Sequence, residues 1–253
     1  MSTVLTASSV FVGRSLRHSL RDAEVLLMGI SLPVLLMLLF TYVFGGAISG
    51  GQTAYVSYVT PGIVLLCAGF GASSSAVYVS RDLATGTIDR FQTMPVPAAT
   101  VLVGHVVSSL LRNLVATGVV VLVAILVGFR PQAGLGGWLG ALALIALWIL
   151  AVTALFVFLG MVAGSPEAAS AYGFVFLFLP YVSSAFVPVD TLPSWLRGFA
   201  EHQPITPVIE SIRALLLGGS PGAQAWWAVA WSLLILLVPA VAIAVLFPRL
   251  RSR

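Results

Sequence analysis

Few side chains in this sequence could carry out chemistry. The candidates are His18, His105 and His202, a single Cys67, the run Gly71-Ala72-Ser73-Ser74-Ser75, Arg112 and Glu167. A serine nucleophile on a sharp elbow needs Gly-x-Ser-x-Gly and a placed histidine. The run at 71–75 lacks that spacing, and small residues on a membrane helix serve mainly as packing sites. The three histidines fall in three separate segments, so they are not expected to converge on one metal ion, and one cysteine makes neither a disulfide framework nor a thiolate site. All twelve basic residues are arginine. Without lysine there is no Walker A phosphate loop and no Schiff-base chemistry. No catalytic set, metal site or cofactor bound by this chain is expected, and the chain reads as something other than an enzyme.

The elements that must position these residues belong to a membrane. The chain of 253 residues is 59% hydrophobic and 8% charged, and its mean hydropathy of +1.08 lies far above that of soluble domains. We read one all-α, polytopic transmembrane domain over 1–253. About 20 apolar residues cross the hydrocarbon core, which predicts six spans at 25–44, 54–79, 101–127, 138–163, 169–186 and 225–247. Pro33 lies inside the first span, Pro61-Gly62 near the start of the second, and Gly128-Phe129-Arg130-Pro131 stops the third. Before the first span, Ser9, Val12, Leu16 and Leu20 form a stripe opposite Arg14, Arg17 and Arg21. This predicts an interfacial helix over 4–23, with a solvated basic arm as the plainer alternative. The N-terminus does not read as a signal peptide.

Two segments interrupt the spans. In the polar stretch 81–97, helical winding at about 100° per residue puts Leu83, Ala84, Thr87, Ile88, Phe91 and Met94 on one arc. Asp82, Thr85, Asp89, Arg90, Gln92 and Thr93 lie on the other. This predicts an amphipathic helix of about three turns, too short and too polar to span. The second interruption, 188–220, contains Leu192-Pro193-Ser194-Trp195-Leu196 and a run opened by Thr206-Pro207. Thr206 is the expected N-cap, Ile209, Ile212, Leu216 and Leu217 share a side, and Gly218-Gly219 ends the run. Neither piece is long enough to span, so both are expected to be interfacial or re-entrant on the outer face. Trp195 is expected at headgroup depth, and Trp226, Trp227 and Trp231 read as an aromatic belt.

Orientation follows from arginine. Six spans put both termini and the 80–97 and 164–168 loops on one side with eight arginines, against three on the other. The richer side is expected to be cytoplasmic, which makes the chain a multi-pass protein of a bacterial cytoplasmic membrane. The excess of positive charge suits anionic lipid; no basic patch with interleaved aromatics suggests nucleic acid. Arg112 would lie about 16 Å along the third span, counted from Val101 at 1.5 Å per residue. It either snorkels to the inner headgroups or contacts an anionic substrate headgroup or a gating partner. Glu167, after Pro166, reads as a helix N-terminal charge.

These residues carry a resemblance. Arg81-Asp82, Gly86-Thr87, Arg90-Phe91 and Pro95-Val96 resemble the first cytoplasmic loop of type-2 ABC exporter permeases, the daunorubicin-resistance permease subgroup in particular. Pro61-Gly62, Gly128-Phe129-Arg130-Pro131 and the outer motifs Phe186-Val187-Pro188, Leu192-Pro193-x-Trp195, Gln203-Pro204-Ile205-Thr206 and Ile212-Arg213-Ala214 agree in order. Asp82 departs from the glutamate that many relatives carry. The resemblance implies two permease subunits, identical or related, with two ATPase subunits docked beneath that bind the ATP and Mg. It implies a coupling helix at 81–97, a connecting helix at 4–23, re-entrant helices at 188–220, and outward movement of a drug, antibiotic or lipid. Arg81, Asp82, Gly86, Thr87, Asp89 and Arg90 would contact the ATPase, and Phe91 and Met94 would anchor the helix. The alternative is a stand-alone channel or secondary transporter, which should show intramembrane carboxylates or internal repeats; neither is evident.

Overall fold

The computed structural model describes residues 23–45, 52–85 and 99–250. The expected interfacial helix lies outside the described residues except at its last position, and so does the stretch from Gly86 to Pro97, with Thr87, Asp89, Arg90, Phe91 and Met94. The described residues are helical, with no strand. The helices are α1 (Ala23–Leu39, continued by a π-helical segment Phe40–Phe44), α2 (Gln52–Ala84), α3 (Ala99–Val127), α4 (Leu135–Val162), α5 (Pro166–Phe176), α6 (Ser194–His202), α7 (Ile205–Leu216) and α8 (Gly222–Leu250). Short 3-10 turns stand at Leu179–Val182 and Val189–Thr191.

Four of these, α2, α3, α4 and α8, are long and apolar enough to cross a bilayer; α1 forms a shorter apolar helix. The 29 residues of α3 reach about 43 Å at 1.5 Å per residue, the thickness of a bilayer with its headgroups. The molecule is organised around α2, which packs on α1, α3, α4 and α5, while α8 lies against α4 and α7. Lipid tails are as apolar as leucine, so membrane helices associate by close packing rather than by escape from water. Here that packing depends on small residues. A Cβ on Gly62 would lie 2.6 Å from that of Ala185, and one on Gly160 would lie 2.4 Å from the carbonyl oxygen of Ala76. The 71–76 run belongs to this packing: Ala72, Ser75 and Ala76 are buried, and Gly173 of α5 sits against Ser73.

Two expected boundaries change. First, α2 runs without interruption to Ala84, so Arg81 and Asp82 form its last turn rather than the start of a separate helix. Second, the span expected at 169–186 is not one helix. It is α5, only 11 residues long, followed by turns and a 3-10 segment. Pro180 explains the break: it brings no N–H to bond residue 176, and its ring collides with the preceding turn. Ser183 then turns the chain, donating to the Pro180 carbonyl at 2.6 Å and accepting from the Ala185 N–H at 3.1 Å.

Helix ends follow the local signals in the sequence. At the end of α3, Gly128 takes φ +126° and Phe129 folds back into the core. Arg130 donates to the carbonyls of Ile125 at 2.7 Å and Phe129 at 3.1 Å, a cation placed on the negative end of the helix. Ser165 caps α5 by accepting from the Ala168 N–H at 3.2 Å, with Pro166 at the first helical position. Gly218, at φ +78°, ends α7, and the Gly219 N–H reaches back to Ala214.

Filling the contact between α2 and α4 should be costly, because the near atoms are backbone. Gly160→Ala is expected to destabilise the protein by about 1–3 kcal/mol, seen as a lowered unfolding midpoint in detergent. An unchanged midpoint would mean that the two helices sit further apart.

Candidate functional sites at the two ends of the bundle

One end of the bundle holds Arg81, Asp82, His105 and Glu167. Asp82 stands two residues before the end of α2, and His105 two turns into α3. His105 Nε2 lies 2.9 Å from Asp82 Oδ2, and both side chains are partly covered. This pairing was not foreseen. The sequence placed His105 in the third span with no partner. The available signal was an acid at the end of one helix and a histidine near the start of the next, on antiparallel neighbours joined by a short segment. The pair ties the two helix ends that flank the polar stretch 86–98. Arg81 is exposed on the same turn. Glu167, in the first turn of α5, has its carboxyl held below the usual range by the Ser165 hydroxyl, then by its own backbone N–H, with a smaller attraction from Arg81.

Midway along the bundle, Arg112 is half-buried. One of its terminal nitrogens donates to the Gly71 carbonyl at 3.2 Å, and its guanidinium carbon lies 5.7 Å from the centre of the Tyr78 ring. It borders a cavity of about 480 Å³ between α1, α2 and α3. Arg112 thus contacts protein inside the bundle, at Gly71 and Tyr78.

The opposite end is built on Arg213. This α7 residue is only 8% exposed. Its guanidinium donates to the Tyr58 carbonyl from Nε at 3.2 Å and from a terminal nitrogen at 3.0 Å, and to the Ser184 carbonyl at 2.8 Å. It also pairs with Glu210 and lies 3.8 Å from the centre of the Tyr58 ring. Three further side chains serve the same irregular stretch. Gln203 Nε2 donates to the carbonyls of Leu179 and Val182, Tyr55 donates to Phe186 at 2.9 Å, and Thr206 accepts from the Ser184 N–H at 3.4 Å. Beside them is a cavity of about 360 Å³ bordered by Asp190, Glu201, Glu210 and Arg213.

The two short helices expected within 188–220 are present as α6 and α7, but the cap differs. Thr206 lies inside α7, which starts at Ile205 after Pro204, and its hydroxyl donates to Ala200 at 2.6 Å instead of capping. Ile209, Ile212 and Leu216 are buried, while Trp195 stands 79% exposed. Trp226 and Trp227 are exposed at the start of α8, and Trp231 is half-buried.

The sequence matches the ABC-2 type transporter family over residues 6–217. The chain belongs to that family. It is similar to the daunorubicin resistance ABC transporter permease protein DrrB1 of Streptomyces coeruleorubidus, at 29% identity over 86% of this chain and 75% of that protein. It is also similar to two Mycobacterium tuberculosis proteins. One is the probable doxorubicin resistance permease DrrC, at 25% identity over 93% of this chain and 86% of that protein. The other is the doxorubicin resistance permease DrrB, at 28% identity over 78% of this chain and 71% of that protein. This ABC-2 family member is therefore a multi-pass membrane protein of the permease type, related to subunits of drug-resistance ABC transporters.

Two measurements test these ends. Arg213→Met keeps an unbranched apolar stem but leaves Glu210 and two carbonyls without their donor. It should lower stability by about 3 kcal/mol, read as early thermal unfolding in detergent; wild-type unfolding would show that the carbonyls have other donors. A double-mutant cycle on Asp82→Asn and His105→Ala should give a coupling of about 0.5–1 kcal/mol, as partly exposed pairs do. Strict additivity would mean that the contact contributes nothing.

Proposed function

We propose that this chain is the membrane-spanning subunit of an ATP-driven exporter, moving an amphipathic drug, antibiotic or lipid outward. The observation that carries this reading is the ABC-2 family match across most of the chain. Its relatives are named for resistance to daunorubicin and doxorubicin, which supports an amphipathic drug as one cargo class. With no lysine in its sequence, the chain has no Walker A loop of its own, so ATP and Mg belong on separate ATPase subunits.

The ATPase seats against the stretch 81–97. Arg81 and Asp82 form the rigid end of α2, so a push there passes directly into the helix at the centre of the bundle. Gly86, Thr87, Asp89 and Arg90 supply the remaining contacts, and Phe91 and Met94 hold the stretch to the bundle. The His105–Asp82 contact, at 2.9 Å, links the same point to α3. Two permease copies, identical or related, complete the pathway. Six membrane passes, with both termini in the cytoplasm, agree with the arginine asymmetry; in this arrangement α5 with its following turns makes the fifth pass, and α6 and α7 dip into the outer face.

Co-purification with an ATPase carrying a Walker A motif tests the partner. Asp82→Ala and Arg90→Ala should insert normally and still bind substrate, yet lower ATP-driven export in proteoliposomes by at least about tenfold, a loss of about 1.4 kcal/mol of coupling. Undiminished export in both variants would remove this stretch as the coupling element.

A further inference from the structure

The first helix, α1, does not keep one winding to its end. Its last turn, Phe40–Phe44, is π-helical, with hydrogen bonds that span five residues instead of four. Such turns are rare, occur mostly as single turns within α-helices and are frequent at functional sites. Here the turn decides which side chain faces the bundle. Between Leu32 and Gly45 the buried positions are Pro33, Met37, Thr41 and Gly45, one every four residues. In a regular α-helix, at about 100° per residue, Gly45 would lie about 80° from the direction of Met37 and Phe44 only about 20° from it. The structure shows the reverse: Gly45 is buried and Phe44 is 41% exposed. The extra residue in the π turn thus puts a glycine, not a phenyl ring, on the buried side of a segment that packs on α2.

Two further observations belong to the same turn. Thr41 Oγ1 is buried without a hydrogen-bond partner. Thr60, Ser211 and Ser232, also buried on helices, each donate to the carbonyl four residues back, at 2.6 to 2.7 Å. Regular winding would offer Thr41 the Met37 carbonyl in the same way. Ser108 and Thr117 of α3 lack a partner too, so an unpartnered hydroxyl acquires its meaning only where the winding changes. Phe40, at the start of the turn, stacks on Phe186 with 4.3 Å between ring centres, and the Phe186 carbonyl accepts from Tyr55. The turn is therefore in contact with the irregular stretch between α5 and α6.

We propose that the end of α1 is a conformational device with two registers. In the π register Gly45 faces α2 and lets the two helices approach. In the α register the extra residue is given up to the chain beyond Gly45, and Phe44 turns by about 100° onto the buried side. Thr41 then gains the Met37 carbonyl as its acceptor. A phenyl ring in place of a glycine pushes the end of α1 away from α2 and moves the Phe40–Phe186 contact with it. In an exporter this opens and closes the end of the bundle around Arg213. That use rests on the exporter reading; the two registers do not.

The test uses the full chain in detergent with Cys67→Ser as background, Phe44→Cys as reporter and N-ethylmaleimide as probe. In the π register this thiol is accessible. Adding Gly45→Leu, which does not fit the buried side, should favour the α register and slow labelling by about tenfold. Thr41→Val removes the hydrogen bond that only the α register offers, so on top of Gly45→Leu it should speed labelling again by about fivefold. Thr117→Val, the same change in a regular helix, should not. Labelling of the Gly45→Leu protein as fast as its parent overturns the proposal, as does an equal effect of Thr41→Val and Thr117→Val. If Gly45→Leu does not elute as a folded species, deletion of Tyr42 decides. It leaves a regular helix with Gly45 still on the buried side, so the chain should unfold no earlier than the wild type; loss of the fold overturns the proposal. With an ATPase subunit bound, ATP and vanadate should protect the Phe44→Cys thiol, and deletion of Tyr42 should abolish that protection. Unchanged labelling in a complex that hydrolyses ATP overturns the role in export. Failure of any ATPase to co-purify would count against the exporter and leave the result on the chain alone standing.

Discussion

The backbone between α5 and α6 has to satisfy its hydrogen bonds without a helix, and much of the end of the bundle around Arg213 follows from that. Ser183, Ser184, Ala185 and Phe186 are buried yet irregular. Inside a membrane protein, each unpaired backbone group costs several kcal/mol. Arg213 answers for Ser184 and for Tyr58, near the start of α2; Gln203, Tyr55 and Thr206 serve the neighbouring groups. These side chains come from α7, from the turn before it and from α2. Placing them requires α7 to lie flat against α2 and α4, which explains why its Ile209, Ile212 and Leu216 are buried. The short helix α7 is held in place by this polar set as much as by its apolar side.

A second constraint runs through α2. Its small residues let α4, α5 and the 183–186 turn approach to backbone distance, so it cannot shift without moving its neighbours. The same rigid helix ends in Arg81 and Asp82, and Asp82 touches α3 through His105. A displacement applied at that end is passed along a continuous rod to the contacts around Gly62, where Ala185 sits against the helix. This is a mechanical link from the proposed ATPase seat to the turns at the far end of the bundle, made of packed atoms and one histidine–carboxylate contact. The cavity beside Arg112 lies on the same rod, midway between the two ends.

Much of this was legible in the sequence. Hydropathy marked α1, α2, α3, α4 and α8, because a long apolar run in a bilayer has few structures open to it. Gly128-Phe129-Arg130-Pro131 marked the end of α3, Pro166-Glu167 the start of α5, and Gly218-Gly219 the end of α7, since caps are local chemistry. The order of the polar motifs supported the family. Segments whose shape depends on distant partners were not legible. The stretch 169–186 is as apolar as a span, and only the tertiary packing shows that Pro180 breaks it and that Gln203 and Arg213 sustain the break. Thr206 has the sequence context of a cap but donates to Ala200 across a turn.

The sequence by itself determined the class of the protein: an apolar, arginine-marked chain with several long hydrophobic runs has to live in a membrane. Local rules of burial and capping suffice for that, because they depend on residue type and near neighbours. The tertiary structure alone decided which polar residues meet. His105 found Asp82, Arg213 found Tyr58 and Ser184, and Asn113 came to rest against Gly71 beside Arg112. These contacts join residues 23 to 155 positions apart, and partnerships at that range are set by how the helices cross, not by any periodicity within one of them.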